Sequence, residues 1–185
     1  MKKFLIVIII AIALIAMMCI SQYNELVTKS ENVDATLGDL DTMLQRRADL
    51  IPNLVNTVKG YMSHEDEIIN KITTARENLN KAKTIEEKSE ANDELTASLN
   101  SLMVVVENYP DLKSSQNFIN LQDELSGTEN RIAVARKDYN DSVKSYNTAI
   151  KKFPGSVFAK MFGFDEKTYF EAQESSKEVP TVDFN

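Results

Sequence analysis

The 185-residue chain has no tryptophan, one cysteine, one histidine, four prolines and five glycines. A single cysteine excludes an intramolecular disulfide framework and leaves the redox compartment open. With so little glycine and proline, and 26% of residues charged, the composition speaks against a turn-rich β fold and for long uninterrupted helices. Basic residues are scarce as well. The chain carries 21 Lys and Arg against 28 Asp and Glu, and setting aside Lys2 and Lys3 leaves 19 basic residues and a net charge of −9. Without a basic stripe to neutralise phosphates, nucleic-acid binding has no footing, and neither has a broad electrostatic grip on anionic lipid. The length suits one domain with a real core.

The N-terminus is rich in one thing. The run Phe4-Leu5-Ile6-Val7-Ile8-Ile9-Ile10-Ala11-Ile12-Ala13-Leu14-Ile15-Ala16-Met17-Met18-Cys19-Ile20 holds 17 apolar residues without a charge. That is close to the ~20 needed to cross ~30 Å of hydrocarbon, so residues 1–21 read as a transmembrane anchor. A cleaved signal peptide, the competing reading, has a shorter apolar core of roughly 7–15 residues and ends in a small-x-small pattern that is missing here. A lipidated Cys19 is disfavoured by the bulky Met17 and Met18 before it, and the residue reads as an apolar thiol in lipid. Lys2 and Lys3 precede the span, whereas Glu25, Lys29, Glu31 and Asp34 follow it. Because cytoplasmic flanks carry the excess of Lys and Arg, the charges predict a cytoplasmic N-terminus, with the rest of the chain outside the cytoplasmic membrane.

Beyond the span four apolar stripes repeat at helical spacing. Leu26, Val33, Leu37, Leu40 and Leu44 predict a first helix continuing from the anchor to about Leu50, where Pro52 is expected to turn the chain, with Asp49 as cap. Leu54, Val58, Tyr61, Ile68, Ile72, Ala75 and Leu79 mark a second helix from Pro52 to about Lys83. Thr84 and Glu87 form a capping-box pattern opening a third, with the stripe Leu95, Leu99, Leu102, Val106 and Tyr109, closed by Pro110. In the fourth, about 115–152, Phe118, Leu125, Ile132, Tyr139, Tyr146 and Phe153 stand seven apart, beside Leu121, Thr128, Ala135, Ser142 and Ala149. Such a repeat also suits a coiled coil between chains, but four stripes joined by short breaks satisfy one another within one chain. The expected fold is all-α: an elongated antiparallel four-helix bundle (22–153) after a single transmembrane helix. An aromatic-rich segment (154–173) and a loose polar tail (174–185) would follow.

Three blocks of residues then carry a resemblance. They are Arg46-Arg47-Ala48-Asp49-Leu50-Ile51-Pro52-Asn53-Leu54-Val55-Asn56-Thr57-Val58-Lys59-Gly60-Tyr61 ending in His64-Glu65, Tyr109-Pro110-Asp111-Leu112-Lys113, and Thr128-Glu129-Asn130-Arg131-Ile132-Ala133 running on through Ala135-Arg136, Tyr139-Asn140, Tyr146-Asn147 and Phe153-Pro154. With the anchor and Phe162-Gly163-Phe164, they resemble the LemA family of bacterial membrane proteins over nearly the whole chain. Where the family often has a tryptophan about nine residues before the double arginine, this sequence has Leu37, which keeps the apolar stripe. The resemblance implies an anchored antiparallel helical bundle of unsettled molecular role. Family descriptions place the short N-terminus outside the cell, against the charge argument, which is retained here.

No catalytic, cofactor or metal site can be assembled from the sequence. His64, in His64-Glu65-Asp66-Glu67, lacks the second histidine of a zinc-protease helix, because position 68 is Ile, and a solvated acidic turn is the simpler reading. Gly38, Gly60, Gly127, Gly155 and Gly163 are isolated, so no phosphate loop exists. The most distinctive polar set is Arg46, Arg47, Asp49, Asn53, Glu129, Asn130 and Arg131. It reads as an ion-pair network fixing helix register or, alternatively, as a partner or ligand site. Tyr139-Asn140 and Tyr146-Asn147 read as core tyrosines whose hydroxyls reach the bundle edge. Phe158, Met161, Phe162 and Phe164, in the aromatic segment between Phe153 and Phe170, either close the open end of the bundle or dock at the membrane interface. The expected function is that of a non-enzymatic envelope scaffold with a protein partner. An accessory subunit of a membrane enzyme such as a protease, or a self-assembling protein, are the alternatives.

Overall fold

A computed structural model describes residues 2–62 and 65–171; His64 and the expected tail 174–185 lie outside the described residues. The fold is all-α, with helices α1 (Lys2–Lys59), α2 (Asp66–Lys81), α3 (Ile85–Val106), α4 (Pro110–Lys113), α5 (Gln116–Lys151) and α6 (Gly155–Phe162), and no strand among the described residues. The chain divides into two compact units, Met1–Gly38 with Lys137–Thr168 and Asp39–Arg136 with Tyr169–Asn185. Both α1 and α5 supply residues to each unit.

The first unit begins with the apolar run, which is long and apolar enough to cross a membrane and has no buried residue in its most apolar window. That exposure separates it from the core helix of a soluble protein and fits a membrane anchor. Further along, Leu26 and Val33 of α1 are buried, as are Tyr139, Val143 and Tyr146 of α5 and Phe158 and Ala159 of α6. Thr36 Oγ1 and Ser142 Oγ share a hydrogen bond of 2.8 Å. At the turn into α6 only glycine fits, because a Cβ on Gly155 would lie 2.2 Å from the Ala149 carbonyl oxygen. Gly163, at φ +73°, caps α6 in the left-handed conformation that favours glycine.

After that cap the chain runs without helix as a strap tied to α5. The Tyr146 hydroxyl donates to the Asp165 carbonyl at 2.9 Å and the Tyr139 hydroxyl to the Thr168 carbonyl at 2.7 Å. Asn147 grips the Lys167 backbone twice, its Nδ2 donating to the carbonyl at 2.8 Å and its Oδ1 accepting from the amide at 3.0 Å. Lys167 Nζ reaches Asp34 at 2.9 Å, and Lys151 pairs with Glu166. Tyr139 and Tyr146 are thus core tyrosines, as the sequence suggests, whose hydroxyls, with Asn147, fix an extended segment that offers no helical bonds of its own.

In the second unit Leu40, Leu44, Ala48, Ile51, Leu54 and Val58 of α1 are buried, with Ile68, Ile72, Ala75 and Leu79 of α2, Leu95, Leu102 and Val106 of α3, Leu112 of α4 and Phe118 and Ile132 of α5. The capping box opens α3 as read from the sequence: Thr84 accepts from the Glu87 amide while the Glu87 carboxylate accepts from the Thr84 amide. Phe170 is buried, with the Arg136 guanidinium 4.7 Å above its ring.

Three expectations fail locally. Pro52 does not end the first helix, which runs on to Lys59 and stops before Gly60. A proline removes the hydrogen bond to the carbonyl four residues back, here Ala48, and that carbonyl instead accepts from Arg76 Nε at 2.8 Å. The second stripe is therefore split between the end of α1 and α2, and Asp49 is no cap but sits inside α1, accepting from Gln45 at 2.8 Å. Tyr61 falls in the turn after α1 and is exposed, while Met62 is buried in its place. Phe153 lies two residues past the end of α5, out of helical register, and is 84% exposed.

Candidate functional site

Arg47 sits on the core-facing side of α1, three residues after Leu44 and four before Ile51, so the helix carries its side chain inward with the leucines. It is only 3% exposed. Its Nη1 donates to Asn92 Oδ1 on α3 at 2.6 Å and lies 2.7 Å from Glu129 Oε2 on α5. The Glu129 contact is an ion pair without hydrogen-bond geometry. Arg47 Nε, Asn92 Nδ2 and Glu129 Oε2 are buried and find no hydrogen-bond partner among the described residues. Burial pulls the Arg47 guanidinium down from its ordinary value, opposed by Glu129 and then Asp93. A guanidinium nevertheless stays charged. Two buried polar atoms beside one charge, Arg47 Nε and Asn92 Nδ2, have neither a hydrogen-bond nor an ion-pair partner among the described residues and call for an explanation.

Arg47 and Glu129 border an open groove of about 330 Å³ within the second unit. Leu54, Leu99, Leu102, Met103, Phe118 and Leu125 give it apolar walls, while Thr96, Asn100, Gln122, Ser126, Glu129 and Asn130 add polar positions. Apolar walls with a few convergent polar groups make the usual character of a binding site. Among the described residues no group of three or more His, Cys, Asp or Glu is arranged to hold a metal ion.

Of the polar set singled out in the sequence, the fold brings together Arg47 and Glu129, with Asn130 beside them at the groove. Arg46 points elsewhere and pairs with Glu124, whose carboxyl it holds below the usual range. Asp49 and Asn53 are exposed on α1, and Arg131 is exposed on α5. Sequence reasoning missed Asn92, although a signal existed: Asn92 precedes Leu95 by three and Leu99 by seven, so it is a polar residue on an apolar stripe. It also missed Arg76 on the Ala48 carbonyl and Asp93, 3.9 Å from Arg136, for which the stripes gave no indication. The aromatic segment divides. Phe158 is buried, Phe164 is half-buried, and Met161 and Phe162 are exposed.

The model of the LemA family matches residues 36–184. The magnetosome proteins MamQ 1 and MamQ 2 of Paramagnetospirillum magneticum are each 30% identical to this chain, over 87% of its length and 68% of theirs. Protein LemA of Metamycoplasma hominis is 26% identical over 92% of this chain and 78% of its own. The match takes in α1 from Thr36, the whole of α2 to α6, and both arms of the Arg47–Glu129 pair. The chain belongs to the LemA family.

Proposed function

We propose that this LemA-family chain is a non-enzymatic scaffold at the bacterial cell envelope, anchored by residues 4–20 with its N-terminus in the cytoplasm, and that it holds a protein partner in the groove beside Arg47. The observation that carries the reading is a buried arginine with unmet hydrogen-bonding capacity at the edge of an apolar groove. A partner side chain entering there gains apolar contact from Leu99, Met103 and Leu125 and finds polar positions at Gln122, Ser126 and Asn130. In the second unit α1 bonds to α2 through Ala48 and Arg76, to α3 through Asp41 and Lys88, and to α5 through Arg47 and Glu129. These ties support an antiparallel four-helix arrangement as the frame of the groove.

The test is site-specific photocrosslinking in cells from Met103 and Gln122, with Lys71 on α2 as a control. The expected result is one partner captured from the groove positions alone, and lost when Ser126→Phe fills the groove while helical content and thermal unfolding stay unchanged. Equal capture from Lys71, or capture indifferent to the filled groove, would overturn the reading. A captured partner of the chain's own mass would mean self-assembly.

A further inference from the structure

Outside the apolar run, the large apolar side chains left exposed among the described residues of the first unit are Tyr23, Phe153, Val157, Met161 and Phe162. Val157, Met161 and Phe162 lie on α6, Tyr23 packs against Phe162, and Phe153 stands two residues before α6 in the chain. Val157 and Met161 stand four apart on α6 and share a face, while Phe158 and Ala159 of the same helix are buried. Phe162 meets the Tyr23 ring edge-on at 5.0 Å, and Phe164 does so at 5.9 Å. Tyr23 follows Ile20, the last residue of the apolar run, by three positions, roughly 4.5 Å along the helix. A span ending at Ile20 puts Tyr23 at headgroup level, where tyrosines of membrane proteins collect. The ring contacts hold the Phe162 end of α6 at the same height.

We propose that α6, with Phe153 before it, is an interfacial foot that docks on the leaflet at the C-terminal end of the span. Phe153, Val157, Met161 and Phe162 enter the boundary between headgroups and acyl chains, to a depth of roughly 5–10 Å. The occupant of this face is the bilayer that holds α1, because the face continues from the end of the span through Tyr23. Since α1 already places the protein in that bilayer, docking is intramolecular, and a patch too small to recruit a free protein suffices. Charge plays a minor part: Lys151, Lys152 and Lys160 stand against Asp165 and Glu166, and Lys151 is already paired with Glu166. The foot rests on residues 4–20 spanning the membrane and is independent of the groove beside Arg47.

The absence of tryptophan makes a single introduced one an unambiguous reporter. Full-length Met161→Trp and Val157→Trp proteins are reconstituted into vesicles of phosphatidylcholine with phosphatidylglycerol, with Val104→Trp in the second unit, where Val104 is exposed, as reference. Lipids brominated high on their acyl chains should quench Met161→Trp and Val157→Trp about twofold, as expected at interfacial depth, and leave Val104→Trp unaffected. The same quenching is expected in phosphatidylcholine alone. Unquenched emission at both positions, with helical circular dichroism intact, would overturn the proposal. So would quenching that requires phosphatidylglycerol, because the contact would then be electrostatic.

Discussion

In the first unit the interior polar groups are neutral and well met: the Tyr139 and Tyr146 hydroxyls and both ends of the Asn147 amide bond to the strap backbone, and Ser142 bonds to Thr36. In the second unit the buried polar set includes a charge and is only partly met: Thr128 bonds to the Glu124 carbonyl, but Arg47 stands against Glu129 and Asn92 while Arg47 Nε and Asn92 Nδ2 find no partner among the described residues. Satisfied neutral networks hold a unique arrangement at small cost, because no ion is taken out of water. A buried charge costs more, and a half-satisfied network is weaker than an apolar core of the same volume. The contrast teaches that the strap is a structural fixture, whereas the surroundings of Arg47 are kept at a cost to stability that a binding role would explain.

The sharpest way to break this contrast is at the charged pair. Glu129→Gln strands the buried Arg47 charge and is expected to destabilise the full-length protein in detergent by about 2–3 kcal/mol. That is below the full range for broken buried pairs, because the Glu129 side chain is 41% exposed. Arg47→Met removes the charge itself and should cost under about 1 kcal/mol, with Glu129 left to water. Thermal unfolding decides between the two, and equal losses would mean that burial does not burden the pair.

In the first unit Gly155→Ala, which sets a Cβ against the Ala149 carbonyl, should cost about 2 kcal/mol through forced backbone movement. Hydrogen exchange should rise along the end of α5 and in α6. Asn147→Ala, which unmakes both bonds to Lys167, should cost about 1.5 kcal/mol, against about 1 for Tyr146→Phe. Both should speed proteolysis of residues 164–168, and no change would remove the strap from the list of structural fixtures.

The smallest expected effect is a pH dependence. Burial, followed by Asp165 and Asp34, raises the Tyr146 phenol above its ordinary value of 10.0. As pH climbs past that value the unfolded chain releases a proton that the folded chain keeps, so stability present below it is lost above it. Tyr146→Phe should flatten that alkaline arm, as followed by circular dichroism.

Much of the frame was legible because helical periodicity is local. The ends of α5 fell within one residue of the reading, and the Thr84–Glu87 box was visible because its partners are three apart. The end of α1 was not legible, since the group that relieves Pro52 is Arg76, 24 residues later. Of the polar set, Arg47 and Glu129 could be suspected as a pair, but Arg46 could not be assigned to Glu124 from spacing alone. One helical step separates Arg46 from Arg47, yet it turns one to solvent and the other to the core.

By itself the sequence determined the all-α class, the apolar N-terminal helix, the stripes that form most of the core and membership in the LemA family. Each of these rests on hydrophobic period, length or motif, and none needs knowledge of what lies across the interior. Only the tertiary structure decided that α1 passes through Pro52, that Asn92 completes the Arg47 pair and that the Tyr-Asn residues hold a strap. It also placed α6 beside Tyr23. Each of these depends on hydrogen bonds or ring contacts between residues distant in the chain, whose partners are chosen by packing and not by local spacing.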